Sequence, residues 1–176
     1  QDDKNLKKLS KIDGKIEFKN VSFEYKKGNK VLRDISLEIS KGKVIAFVGS
    51  SGAGKSTMMG LILKFITPNT GKIYIDNREI RFINSADLRT NIALVQQQPF
   101  LFSGRIIEVI KMGREFSEQE VIKAAKIANA HKFIQKLPNK YETKISERGT
   151  NLSGGQIQRI AIARAILGNP SIPVSY

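Results

Sequence analysis

The stretch GSSGAGKST, residues 49–57, has the residue types and the spacing of a loop that binds phosphate groups. Its glycines allow a tight turn in which successive backbone N–H groups point at one anion. The helix predicted to follow would add the partial positive charge of its N-terminus. The residues that would line this site are Gly49, Ser50, Ser51, Gly52, Ala53, Gly54, Lys55, Ser56 and Thr57.

The polar side chains of this loop suggest how a nucleotide would be held. Lys55 would reach the outer phosphates, Ser56 would offer its hydroxyl to Mg²⁺, and Thr57 would assist at the inner phosphates. The plain alternative is a chance glycine-rich loop. Because the pattern is complete and stands between an apolar strand-like run and a helix-like run, it favours nucleotide binding, although many different NTPases and kinases use such a loop.

A second glycine-rich stretch, SGGQ at residues 153–156, stands at the start of another predicted helix. Ser153 occupies the N-cap position, and Gly154 and Gly155 would leave the backbone amides up to Gln156 open to an anion. A single nucleotide does not readily need two helix ends from distant parts of one subunit. In a symmetric dimer, the first loop of one chain would hold the nucleotide and the SGGQ of the other would cover its γ-phosphate. The plain alternative is a serine-capped helix without a ligand.

Length, composition and charge narrow the classes of protein to be considered. The chain has 176 residues, which suits one domain with a substantial core. It has no cysteine, which excludes disulfides and thiolate metal sites, and no apolar run near the roughly 20 residues that span a bilayer. Its formal net charge of +14 would suit nucleic acid, anionic lipid or nucleotide phosphates. The lysines are scattered, however, which favours a solvated lysine-rich surface over a nucleic-acid face.

The hydrophobic pattern predicts the elements that would position the two glycine-rich stretches. KIEFKNVSFEY and VLRDISLEI alternate apolar and polar residues, with an offset near Asn20, and predict antiparallel strands joined by a turn at KKGNK. The continuously apolar run Val44–Val48 is typical of a strand buried on both faces of a parallel sheet. GKIYIDNREI and NIALVQQ predict further strands. Helices are predicted in RIIEVIKM, SEQEVIKAAKIANA, HKFIQKL and SGGQIQRIAIARAIL, the second with a capping box at Ser117 and Glu120.

Together the two glycine-rich stretches resemble those of the nucleotide-binding domain of ATP-binding cassette (ABC) transporters, most closely the exporter type. The resemblance implies an α/β fold, a P-loop NTPase with a RecA-like core, an antiparallel β-subdomain and a helical subdomain at about residues 99–152. It divides the chain into a linker at residues 1–14, an ABC ATP-binding domain at 15–170 and a divergent tail at 171–176.

The resemblance also assigns roles to single residues. Tyr25 stands where the family has an aromatic residue that stacks on adenine, and its plain alternative is an aromatic at a strand edge. Gln97, in LVQQQPFLFSG, resembles a catalytic glutamine that contacts Mg²⁺ and the attacking water, so that Ser56 and Gln97 are the expected metal ligands. The following PFLF resembles a surface on which membrane-domain helices dock. Glu147 matches an acid tied to coupling, and the only histidine, His131, is expected to be partly exposed in the helical subdomain.

The resemblance implies a function for the parent protein. It would bind ATP with Mg²⁺, and a second nucleotide-binding domain would complete a head-to-tail dimer. Hydrolysis would be coupled to export through a transmembrane domain of the same polypeptide, at the cytoplasmic face of a membrane and without nucleic acid. Two alternatives are a soluble ABC ATPase acting on nucleic acid or ribosomes, and a remnant that binds nothing.

The end of the sequence departs from the family pattern. The family has an apolar strand ending in Asp-Glu, whereas residues 148–176 contain neither Asp nor Glu. Pro173 would remove a hydrogen-bond donor from such a strand, which is unfavourable in the centre of a sheet. We therefore expect a C-terminally incomplete fold in which the catalytic Glu is absent, hydrolysis is lost and apolar flanks of the sheet are exposed.

Overall fold

The computed structural model describes residues 12–43 and 45–175. They belong to two compact units, the first ending at Ile92 and the second beginning at Ala93. The strands are β1 (Ile16–Glu24), β2 (Lys30–Ile39), β3 (Thr70–Ile75), β4 (Arg78–Glu79), β5 (Ile92–Val95), β6 (Gly104–Arg105), β7 (Lys144–Ile145) and β8 (Ile172–Ser175). The helices are α1 (Lys55–Ile62), α2 (Ser85–Asn91), α3 (Ile106–Lys111), α4 (Glu118–Ile127), α5 (His131–Ile134) and α6 (Gly154–Ile166). Short 3₁₀ turns lie at Ile80–Phe82, Lys140–Glu142 and Glu147–Gly149.

The first unit is built on an antiparallel sheet with the strand order β2-β1-β3-β4. The predicted pairing of β1 with β2 is confirmed, and so is the offset, because Asn20 has φ +48° and the register shifts between Phe18 and Val21. Strand β3 pairs with the other side of β1. At Gly71 an added Cβ would lie 2.3 Å from the carbonyl oxygen of Asn20, so that only glycine allows the two strands to approach at this bulge.

The segment before β1 is fastened to the turn between β3 and β4. The carboxylate of Asp76 accepts hydrogen bonds from the backbone N–H groups of Asp13, Gly14 and Lys15, at 2.6 Å, 3.1 Å and 2.9 Å respectively. Ile12 is buried. Of the predicted linker, residues 1–11 lie outside the described residues, and residues 12–14 pack against the sheet through these contacts.

The prediction of a strand at Val44–Val48 is wrong for residues 45–48, which the structure describes. Val44 lies outside the described residues, and residues 45–49 form no strand. The side chains of Ile45 and Val48 are 41% and 91% exposed. A parallel strand takes its backbone hydrogen bonds from neighbouring strands, and none among the described residues pairs with this segment. The segment is therefore apolar, as the pattern shows, but the described side chains are not buried as the pattern predicts.

Helices dominate the second unit. Its core contains buried side chains from α3, α4 and α6, among them Ile106, Ile110, Val121 and Ile160. The predicted capping box is confirmed at the start of α4, where the hydroxyl of Ser117 accepts the N–H of Glu120 and the Glu120 carboxylate accepts the N–H of Ser117. The Ser117 hydroxyl and then the Ser117 N–H, both donating to the Glu120 carboxylate, hold the pKa of that carboxyl below its usual value. No helix in the described ranges is long and apolar enough to cross a membrane.

The last residues that the structure describes form a strand, and the divergence of residues 171–176 from the family pattern stays a prediction. Strand β8 pairs with β5 in a two-stranded sheet. Each strand of such a sheet is an edge, where a proline without an N–H is tolerated. Pro173 is exposed, and the side chains of Ile172 and Val174 on either side of it are buried. Tyr176 lies outside the described residues.

Candidate nucleotide-binding site

The loop from Gly49 to Gly54 makes a tight turn before α1. Gly52 and Gly54 have φ values of +83° and +84°, in the left-handed region that L-residues avoid. The N–H of Ala53 donates to the carbonyl oxygen of Ser50 at 3.2 Å and closes the turn. A Cβ added to Gly54 would lie 2.7 Å from Cδ2 of Leu32 in β2. The sheet therefore fixes where the loop ends, and glycine is required there for conformation and for space.

Helix α1 continues directly from this loop. Gly54 is its N-cap, and no side chain caps the first turn. The first N–H groups of a helix have no partner within the helix, so those of Lys55, Ser56 and Thr57 are donors aligned with the positive end of the helix. Buried residues later in α1 anchor it, among them Met58, Leu61 and Ile62. A rigid helix thus presents a row of backbone donors at the loop.

The ammonium group of Lys55 turns back over the loop. Its Nζ donates to the carbonyl oxygens of Gly49 at 2.8 Å and Ser50 at 2.7 Å. A cation beside the N-terminus of a helix favours an anion of more than one charge. The hydroxyl-bearing residue Ser56 is exposed beside it. The donor set fits a polyphosphate with a hard divalent cation.

Tyr25 lies immediately after β1 and approaches α1. Its hydroxyl is 3.2 Å from Oγ1 of Thr57, and either group can donate. Its ring makes an edge-to-face contact with Phe23, with centroids 4.8 Å apart. The Tyr25 side chain is nevertheless 63% exposed. The predicted base-stacking residue and a predicted phosphate-binding residue are therefore brought together, and most of the Tyr25 side chain remains exposed.

The SGGQ stretch begins α6, in the second unit. The Ser153 hydroxyl accepts the N–H of Gln156 at 3.3 Å, and Oε1 of Gln156 accepts the N–H of Ser153 at 2.9 Å, which makes a capping box. Gly154 and Gly155 are exposed, and a Cβ added to Gly154 would have no neighbour within 4 Å. The predicted N-cap is confirmed. The two glycines lie exposed at the positive end of a thirteen-residue helix.

Comparison with known proteins identifies the family. A family model described as "ABC transporter" matches residues 32–174, which include both glycine-rich stretches. The chain belongs to the ABC transporter family. The predicted α/β fold is also confirmed, because a solved bacterial Atm1-family ABC exporter with ATP bound matches 99% of this ABC domain with a TM-score of 0.90 and 39% sequence identity.

Relatives of the ABC domain are named as transporters. ABC transporter B family member 13 of Arabidopsis thaliana is 48% identical over 97% of the chain. A putative multidrug export ATP-binding/permease protein of Bacillus subtilis is 46% identical over 97% of the chain. The chain spans 14% and 30% of the lengths of these two proteins, and 31% of the solved exporter. These names do not support the alternative of a soluble ATPase acting on nucleic acid or ribosomes.

The remaining predicted residues of the ABC domain lie in the second unit. Gln97 is exposed at a bend just after β5. In the PFLF stretch Leu101 is buried, whereas the exposed rings of Phe100 and Phe102 contact each other edge to face. Glu147 is exposed at the start of a 3₁₀ turn. The roles of Gln97 and Glu147 remain predictions.

The expectation for His131 is confirmed, since it lies half-buried in the short helix α5. Its Nδ1 is 2.9 Å from the hydroxyl of Tyr141. Tyr141 is itself buried, and burial raises the pKa of its hydroxyl to about 12. His131 therefore has a structural partner within the helical core.

Sequence reasoning missed the residues that fix Tyr25. The N–H of Glu24 donates to Oδ1 of Asn69 at 2.7 Å, and the Glu24 carboxylate accepts the N–H of Gly28 at 3.0 Å. Both contacts hold the chain on either side of Tyr25. Asn69 is far along the sequence and follows no periodic pattern, so only the fold reveals its role.

Proposed function

We propose that this chain is the ATP-binding domain of an exporter-type ABC transporter. ATP binds in the loop at residues 49–57, its phosphates against the N-terminus of α1 and its adenine against Tyr25. In the parent protein, ATP binding and hydrolysis drive transport across a membrane. The geometry of the loop supports this proposal. The similarity of the chain to proteins named as exporters supports it as well.

One observation carries the proposal: the glycine loop, with Gly52 and Gly54 in the left-handed region, leads directly into the uncapped N-terminus of α1. The Lys55 ammonium donates to two carbonyl oxygens, and a hydrogen bond to phosphate, in which both partners are ionised, would be stronger.

Mg²⁺ is expected to be held by oxygen ligands. No three His, Asp or Glu side chains of the described residues form a metal cluster, so the site needs ligands from elsewhere, including the nucleotide itself. The Ser56 hydroxyl and the Gln97 amide oxygen are hard ligands of the kind that Mg²⁺ accepts alongside phosphate. When bound, Mg²⁺ neutralises charge on the phosphates.

The SGGQ stretch is proposed to act on the nucleotide of a second domain. Ser153, Gly154 and Gly155 are exposed at the start of α6. Their amides, together with the helix dipole, suit the γ-phosphate held by a partner. A head-to-tail dimer would place such a stretch over each nucleotide. The partner is another nucleotide-binding domain, identical or related.

A transmembrane domain is proposed as the second partner. The relatives include an ATP-binding/permease protein and a bacterial exporter, and the chain spans only part of each. The exposed pair Phe100 and Phe102, next to Gln97, is the proposed contact for helices of that domain. The ABC domain would then work at the cytoplasmic face of the membrane, with no need of nucleic acid.

Isothermal titration of the chain with Mg-ATP tests the proposal. We expect saturable binding that is weakened at least about tenfold by Lys55→Ala, because a charged hydrogen bond to phosphate is worth about 1.5–3 kcal/mol. The matched control is Lys64→Ala, since Lys64 bonds to the carbonyl oxygens of Arg81 and Ile83 away from the loop. Equal affinities of the Lys55→Ala variant and the unaltered chain, with both folded, would refute the proposed site.

A further inference from the structure

The hydroxyl groups of Tyr25 and Thr57 form a direct link between two parts of the nucleotide site. They are 3.2 Å apart. Thr57 is only 4% exposed and belongs to the first turn of α1, beside Lys55 and Ser56. Tyr25 lies just after the end of β1, and it remains 63% exposed. A phosphate-binding helix and a base-binding ring are thus joined by one hydrogen bond.

We propose that the Tyr25 hydroxyl is a positioning group that couples base binding to phosphate binding through Thr57. This inference rests on the proposed function and deepens it. The aromatic ring supplies the stacking surface, and the hydroxyl determines where that surface stands relative to α1. Tyr25 therefore differs in effect from phenylalanine at the same position.

The physical reason is that an exposed ring on a strand end is otherwise free to rotate. Ordering a side chain on binding costs conformational free energy, and a group that is already ordered avoids that cost. Three contacts order Tyr25: the Thr57 hydroxyl, the perpendicular ring of Phe23 and the hydrogen bonds of Glu24. Only the first of them connects the ring to the helix that binds the phosphates.

The position of Thr57 makes the link sensitive to the ligand. Its hydroxyl is nearly buried, and the partner that the structure gives it is Tyr25. A shift of the α1 N-terminus toward a bound phosphate moves the ring with it. Base and phosphates are therefore recognised as one unit, and a ligand that lacks the base gains nothing from the Tyr25 hydroxyl.

A double-mutant cycle with Tyr25→Phe and Thr57→Val tests the proposal by calorimetry. Mg-ATP and Mg-tripolyphosphate, which has no base, are the two ligands. We expect Tyr25→Phe to weaken Mg-ATP binding about two- to tenfold, the range for one neutral hydrogen bond. It should leave tripolyphosphate binding unchanged. In the Thr57→Val background, Tyr25→Phe should have no further effect on either ligand.

Each other outcome overturns the proposal. If Tyr25→Phe binds Mg-ATP like the unaltered chain, the hydroxyl does not position the ring. If the loss persists with Thr57→Val, or extends to tripolyphosphate, the hydroxyl acts by another route. Tyr25→Ala separates the two hypotheses, because a loss with alanine but not with phenylalanine refutes this inference and leaves ATP binding intact. Absence of Mg-ATP binding by the unaltered chain refutes both. Thermal unfolding of each variant checks that it remains folded.

Discussion

Gly54 shows at the scale of one residue how the loop depends on its surroundings. Its φ of +84° and the Leu32 side chain, 2.7 Å from an added Cβ, both exclude larger residues. Gly52 has nearly the same φ, +83°, but no atom within 4 Å of an added Cβ. Substitution of Gly52 would therefore cost only the strain of the left-handed backbone. Substitution of Gly54 would add a steric clash with Leu32.

We expect Gly54→Ala to destabilise the chain more than Gly52→Ala. The left-handed conformation costs an alanine about 1–2 kcal/mol at either position. At Gly54, displacement of Leu32 adds about 1–3 kcal/mol, the usual cost of overpacking. Urea unfolding of both variants measures the difference. Equal free energies of unfolding would show that Leu32 does not hold the loop in place.

Single residues of the site can be predicted from the sequence where they belong to one short motif. The spacing of Gly49, Lys55 and Ser56 and the N-cap at Ser153 can be recognised within one short stretch. The Tyr25 link to Thr57 joins residues far apart in the sequence, and neither residue type implies the other. Long-range contacts of this kind depend on strand register, which a single sequence does not reveal.

Among the elements, the segment before the loop shows where the hydrophobic pattern misleads. Continuous apolar character indicates a potential for burial on two faces, but burial needs neighbours on both. Ile45 and Val48 are exposed, whereas the alternating residues of β1, such as Val21, are buried as predicted. The prediction of the antiparallel pair β1 and β2 is confirmed because the two strands are adjacent in the sequence and satisfy each other's hydrogen bonds.

Replacement of Val48 by threonine tests this difference. The two side chains are similar in volume, but a buried hydroxyl without a partner costs about 1–3 kcal/mol. Because Val48 is 91% exposed, we expect Val48→Thr to change the free energy of unfolding by less than about 0.5 kcal/mol. Val21→Thr, in the buried face of β1, is the matched control and should cost the larger amount. A loss of similar size at both positions would indicate that Val48 is buried in a strand after all.

At the scale of the whole molecule, ATP binding and ATP hydrolysis require different groups. The loop at residues 49–57 supplies the groups for binding. The resemblance implies that hydrolysis needs a carboxylate after the SGGQ helix, and residues 148–176 contain no Asp or Glu. The strand β8 does not change this, because Ile172, Pro173, Val174 and Ser175 carry no carboxylate.

We therefore expect the 176-residue chain to bind Mg-ATP with little turnover. The release of inorganic phosphate measures the rate, and the Lys55→Ala variant provides the background from contaminating enzymes. Mixing with an intact ABC domain that carries the Asp-Glu pair gives a positive control for the assay. Turnover at the rate of that domain, abolished by Lys55→Ala, would contradict the expectation and point to another catalytic group in this chain.

The placement of a triphosphate at residues 49–57 is tested most directly by amide chemical shifts in a ¹⁵N-labelled sample titrated with Mg-ATP. We predict that the largest shifts fall on Gly52, Gly54, Lys55, Ser56 and Thr57, and that they saturate with the calorimetric affinity. Saturating shifts confined to other residues, with these five amides unmoved in a folded chain, would contradict the assignment of the site.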